Sequence, residues 1–185
     1  RVSGNWNIDR YWGDEANRRE FRFNFNWRYR ASDRLSIRTY AFRGNSHGDF
    51  GYVNQMTEEL IDENGDTYEH TEVYMGRRSR RVMELGLDGK YSFTANMTLN
   101  LRVRHYWDRV NYDSYHLLKD DGSLGATDYN EAHDLDFDAF NIDLIYRWRF
   151  APGSDLFLVY KSSVAVADDE PQRGYFNNWR RLWNN

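Results

Sequence analysis

The chain has 185 residues, a net charge of −4, two prolines and no cysteine. Its 40% hydrophobic content suits one folded unit rather than a disordered segment. Without cysteine there are no disulfides, thiolate metal sites or cysteine nucleophiles, and no run of about eighteen apolar residues exists to form a transmembrane helix.

Phe, Trp and Tyr make up 17% of the chain and charged residues 29%, which leaves little aliphatic material for a core shielded from water. The charge is unevenly placed. Between positions 18 and 43 eight arginines stand against Glu20 and Asp33, whereas between 111 and 138 eight acids stand against Lys119. Basic strands alternating with acidic connections, at a sequence pI of about 5.7, do not make the footprint of a nucleic-acid binder.

The first clear element is 21–30, where Phe21, Phe23, Phe25, Trp27 and Tyr29 alternate with Arg22, Asn24, Asn26, Arg28 and Arg30. A period of two is a strand. After a tight connection at Ala31-Ser32-Asp33 a weaker alternation runs through Leu35, Ile37, Thr39 and Ala41, and a long polar connection is expected at 44–50. Segments 52–63 and 67–76 flank Asn64-Gly65-Asp66, whose Asn-Gly pair suits a tight hairpin needing positive φ.

Further alternation runs from 82 to 93, turns at Thr94-Ala95-Asn96, and becomes strong from Met97 to Trp107, with Leu99, Leu101, Val103 and His105 opposing Asn100, Arg102, Arg104 and Asp108. A long connection is expected over 111–136. Then Phe140, Ile142, Leu144, Tyr146, Trp148 and Phe150 alternate with polar residues, and Leu156, Leu158 and Tyr160 follow Ala151-Pro152-Gly153-Ser154. Short and long connections alternate, which places two rims on a meander of about nine strands. Strands of ten to fourteen residues, tilted by about 45°, cover a hydrocarbon core, and the rings favour strand ends, where a bilayer interface would hold them.

The fold class expected is therefore all-β: an up-and-down antiparallel meander forming a transmembrane β-barrel of the outer-membrane type, or a large part of one. A soluble sandwich would give the same alternation, but so many rings on one face would overfill a small core.

From Tyr91 onward the chain resembles a family of uncharacterised outer-membrane proteins, common in Bacteroidota, that carry a module similar to family-nine carbohydrate-binding modules ahead of a C-terminal barrel. The resemblance is carried by Tyr91-Ser92-Phe93, Arg104-His105-Tyr106-Trp107, Asp121-Gly122-Ser123-Leu124 and, most specifically, Tyr146-Arg147-Trp148-Arg149-Phe150-Ala151-Pro152-Gly153-Ser154. It implies the outer membrane of a Gram-negative bacterium and carbohydrate-associated work. Set against that pattern, residues 1–185 are expected to be a single barrel domain without the N-terminal module and the final closing strand. Unpaired edges in lipid are prohibitive, so such a piece needs the rest of its chain or another membrane subunit.

Alternation assigns Arg22, Asn24, Asn26, Arg28, Arg30, Arg38, Asn100, Arg102, Arg104, Asp108, Asp143, Arg147 and Arg149 to a polar lumen. It turns Phe21, Phe23, Phe25, Trp27, Leu99, Leu101, Val103, Ile142, Leu144 and Trp148 towards lipid. An arginine-lined interior favours anionic or polar solutes by its field, so the first functional reading is a porin-like, non-enzymatic barrel that handles polar, glycan-derived material. The alternatives are a structural or assembly barrel that anchors a soluble domain without conducting, a surface hydrolase with Ser, His and Asp at one rim, and a soluble lipocalin-like barrel, against which the arginines argue.

No cofactor and no zinc site is expected, because His47, His105, His116 and His133 lack paired spacing. His105 is assigned to the interfacial belt. The acids Asp128, Glu131, Asp134, Asp136 and Asp138 only half match a calcium loop. Arg77-Arg78-Ser79-Arg80-Arg81 reads as charge balance for the acidic 58–72 segment, or as a lipopolysaccharide phosphate contact, and 179–183 as a connection to a missing last strand.

Overall fold

In a computed structural model the chain forms one antiparallel sheet, described for residues 1–13 and 17–168. Its strands are β1 (Val2–Trp12), β2 (Arg19–Arg30), β3 (Leu35–Ile61), β4 (Thr67–Thr94), β5 (Met97–Leu118), β6 (Leu124–Gly125), β7 (Leu135–Ala151) and β8 (Ser154–Asp168). The order is β1-β2-β3-β4-β5-β7-β8, with the short β6 paired to β5. The meander is all-β and open: among the described residues β1 and β8 each pair with one neighbour only. Among the described residues the count is eight strands rather than about nine. The expectation for 179–183 lies outside the described residues.

Short turns after β2, β4 and β7 gather at one end, here the near rim, while the hairpins joining β1 to β2, β3 to β4 and β5 to β7 reach the far end. The near turns are local. The Ser32 hydroxyl accepts from the Arg34 and Leu35 amides at 3.2 and 3.1 Å, and Gly153 supplies a φ of 76°.

The expected connection at 44–50 is instead part of β3, a 27-residue strand paired with the 28-residue β4. Polar residues and glycines hide this ladder from a search for alternation, and register shifts between Ser46 and Asp49 and between Tyr52 and Asn54 break its period. At about 3.3 Å per residue the hairpin is roughly 90 Å long, more than twice what β1 or β2 spans. Its far turn is the Asn-Gly feature: Gly65 has φ 88°, and the Asp62 carboxylate accepts from the Asn64 and Asp66 amides at 2.9 and 2.8 Å. The Asp66 amide, above all, holds the Asp62 carboxyl below its ordinary range.

The register sorts the side chains into two faces. One carries rows of apolar residues, such as Trp27, Thr39, Leu87, Val103 and Ile142, and Phe25, Ala41, Leu85, His105 and Phe140. The other carries polar and charged rows. Fully enclosed residues are few and sit towards the far end, where His105 is 3% and Trp107 7% exposed. The sheet therefore has no conventional core, as the aromatic composition anticipated.

On the polar face the Tyr40 ring crosses β4 at Gly86, where a Cβ would fall 1.8 Å from a ring carbon, and its hydroxyl donates to Glu84 at 2.9 Å. Gly89 has only Leu101 Cβ nearby, at 3.9 Å. Gly86→Ala should therefore cost about 1–3 kcal/mol by overpacking, while Gly89→Ala should change stability little. Thermal unfolding of the two variants side by side checks the difference.

Candidate functional site, the arginine face

One row crosses the whole polar face at a single height. Ser3 on β1 stands beside Arg28 on β2, then Arg38 on β3, Asp88 on β4, Arg102 on β5, Asp143 on β7 and Lys161 on β8. It exists because every contributing strand keeps its alternation in phase with its neighbours; a one-residue slip in any of them would turn its member to the other face. Arg102 Nε donates to Asp88 Oδ1 at 2.8 Å.

Towards the near rim the row opens into a basin of about 780 Å³. Arg28, Arg30, Arg34, Arg38, Lys90, Arg102 and Lys161 line it against Asp33, Asp88 and Asp143. Like charges directly opposite across strands repel, yet Arg28 and Arg38 are such a pair. Among the described residues neither side chain makes a hydrogen bond or ion pair, and the same is true of the Arg104 side chain. The basin is a surplus of positive charge with unsatisfied donors, suited to anionic or strongly polar groups.

The lumen candidates all fall on this face. Arg28, Arg30, Arg38, Asn100, Arg102 and Asp143 meet at the basin. Arg147 and Arg149 share Asp155 at the near rim, at 2.9 and 3.3 Å. Asn24 and Asn26 face Asn7 and Asn5 on β1, Arg104 lies between Gly86 and Asn141, and Arg22 pairs with Glu20 at 2.5 Å. Asp108 lies farther out, bound by Arg80 at 2.9 Å through Nε and by the Tyr106 hydroxyl at 3.0 Å. The lipid candidates, Phe21, Phe23, Phe25, Trp27, Leu99, Leu101, Val103, Ile142, Leu144 and Trp148, all share the opposite face.

Asp88, Lys90, Asp155 and Lys161 were missed from sequence. Their signal was there, since each continues the even or odd phase of its strand, but the surrounding glycines and serines weakened the pattern.

Other expectations are redistributed. The arginines of 77–81 lie within β4, and two of them meet acids outside 58–72: Arg78 reaches Asp49 at 3.3 Å and Arg80 reaches Asp108. His105 lies on the apolar face as expected but is enclosed, with 2.6 Å between its Nε2 and Asp138 Oδ1, rather than lying in an open belt. The acidic run is split among separate donors: Asp134 accepts from the Tyr112 amide and Asn111, Asp136 from the Trp107 indole, and Glu131 from the Tyr129 hydroxyl. Among the described residues no three His, Asp or Glu gather as a metal site.

Two serine–histidine pairs occur, His47 Nδ1 with Ser79 at 2.7 Å and His116 Nε2 with Ser114 at 3.0 Å. Among the described residues neither imidazole has a carboxylate on its second nitrogen, so no Ser-His-Asp array is assembled there.

Beyond the basin, at the far end, Tyr74, Tyr115, Tyr129 and His133 form a ring cluster in which Tyr74 and Tyr129 stack at 4.3 Å. The Glu72 carboxylate accepts the Tyr74 hydroxyl and pushes that phenol up to about 12; burial raises Tyr129 and Tyr115. These phenols stay neutral at ordinary pH and hold the long hairpin against the loop after β6.

The profile of a family described as a domain of unknown function (DUF5916) matches residues 1–185. No curated protein and no solved structure matches the chain.

The Arg102 and Asp88 side chains are 59% and 32% exposed, and such ion pairs contribute less than about 1 kcal/mol. Asp88→Asn is therefore expected to leave chemical unfolding within about 1 kcal/mol of the parent. A larger loss would make the charge row part of what holds the sheet together.

Proposed function

Since the chain belongs to the DUF5916 family, whose description assigns no chemistry, we propose a function from the sheet itself. It is a wall of an outer-membrane β-barrel in a Gram-negative envelope, with the apolar face against lipid and lipopolysaccharide. The arginine and asparagine face lines a hydrated interior that passes or docks polar, anionic solutes without chemical change. The single observation that carries this reading is the polar row spanning all seven long strands, charged on six of them, backed at the same height by apolar rows on the other face.

Two magnitudes support it. The apolar rows run from Met97 to Trp107 on β5, eleven residues, which at about 3.3 Å rise and 45° tilt give a band of about 25 Å, the height of the lipid-facing belt of such barrels. Aromatic residues mark its near edge, with Tyr91 against Phe93 at 4.8 Å and Trp148 against Phe150 at 5.9 Å. In water these rows would be an apolar expanse far beyond what a soluble monomer exposes. In lipid, arginine at mid-height costs about 2–4 kcal/mol, so the reverse orientation of the sheet is strongly disfavoured.

Lipid also demands that β1 and β8 find partners, because unpaired backbone groups are not tolerated there. Among the described residues β8, like β1, has one neighbour only, and its free edge is open to a strand of this protein or of another subunit. That the solute is glycan-derived rests on the family resemblance alone.

The ion pairs Asp88–Arg102 and Arg147–Asp155 favour a second reading, a barrel that anchors a soluble domain while its interior is bridged by side chains. Planar-bilayer recording of the full-length protein separates the two. Steady anion-preferring current is expected, with the reversal potential moving towards zero selectivity in Arg28→Ala/Arg38→Ala. Silence from correctly inserted protein would leave the anchoring role.

A further inference from the structure

The cations of the near-rim basin are not spread evenly. Its lining carries seven cations against three acids, a surplus of four, and five of the seven stand on β2, β3, β4 and the turn joining β2 to β3. Arg28 lies directly across from Arg38, with Cα atoms about 5 Å apart. Two positions along, Arg30 lies across from Ser36, and Ser36 across from Lys90. Arg34 follows in the turn.

The three acids do not balance this group. Asp33 accepts from Arg30 at 2.9 Å. Asp88 lies across from Arg38, but its Oδ1 already accepts from Arg102 at 2.8 Å, so it offers one negative charge to Arg28, Arg38 and Arg102 together. Asp143 stands between Arg102 and Lys161, three strands, about 14 Å, from Arg38. Among the described residues the side chains of Arg28, Arg34, Arg38 and Lys90 make no hydrogen bond or ion pair, and all four residues are exposed.

We propose that this corner of the basin is a binding site for a small solute bearing a phosphate dianion, held between Arg28 and Arg38 with Arg34 and Lys90 around it. Two guanidinium forks side by side match one compact group that carries two charges and several acceptor oxygens. A dicarboxylate of equal charge divides its oxygens between two separated groups and meets the pair less well. The basin, at about 780 Å³, is many times the size of a phosphate group, which leaves room for the organic part of a phosphate ester.

The inference rests on the reading of the arginine face as a solute-lining surface, and names the solute class. Calorimetric titration of the full-length protein in detergent micelles at about pH 8, where phosphate is a dianion, compares inorganic phosphate, glycerol 3-phosphate and succinate. Both phosphates are expected to bind at least about tenfold more tightly than succinate, the gain from one further charged hydrogen bond. The preference should vanish in Arg28→Gln/Arg38→Gln and persist in Lys119→Gln. Equal affinity for succinate and phosphate in the parent would reduce the site to a diffuse field and overturn it, as would a preference untouched by the glutamine variant. Glycerol 3-phosphate binding more weakly than inorganic phosphate would overturn the ester as occupant. Because binding is read without a membrane or a current, protein that prefers phosphate yet stays silent in bilayers would keep the site and give up conduction, and anion current without that preference would do the reverse.

Discussion

Everything in this molecule depends on strand pairing held in one phase across seven strands. Side chains alternate with a period of two, so the ladder alone decides that arginines and asparagines gather on one surface and aromatic and aliphatic residues on the other. Among the described residues there is no second layer to correct an error. The charge row from Arg28 to Lys161 and the apolar rows behind it are two consequences of one register. An apolar groove also follows from it, because the phase that places Leu85 and Val103 on the apolar face places Arg81 and Arg109 beside them farther along the same strands.

The arrangement also explains the composition. A sheet with no packed interior needs large side chains only where its surroundings are apolar, and it supports its polar surface by cross-strand contacts worth little each. Its local rigidity comes from devices such as Tyr40 laid over Gly86 and the Tyr74–Tyr129 stack. Buried pairs such as His105–Asp138 occur where the apolar rows give way to arginine and aspartate, at the height where an interface would replace hydrocarbon.

Much of this was legible in the sequence, for a physical reason. In β2, β5 and β7 both faces are chemically uniform, so alternation is visible residue by residue, and the assignment of Arg22 through Arg149 to one surface needed no coordinates. In β3 and β4 the chain beyond Gly44 is polar on both sides and interrupted by bulges, so it looked like a connection although its ladder continues to Ile61. Partnerships were harder to see than faces. Nothing in the spacing of 77–81 points to Asp49 and Asp108, and nothing in the run from Asp134 to Asp138 shows that each acid answers a different donor. Such pairings depend on which strands are neighbours, and that follows from the whole meander.

The most direct test of the central claim is residue-by-residue accessibility along β5 in the native membrane, using single cysteines introduced into a chain that has none. Cysteine at Arg102 or Arg104 is expected to react with a water-soluble maleimide, while cysteine at Leu101 or Val103 resists it and its fluorescent adduct is quenched by brominated lipid. The opposite pattern, or apolar positions shielded from both water and lipid, would contradict a lipid-facing apolar surface and return the sheet to a soluble, inward-facing arrangement.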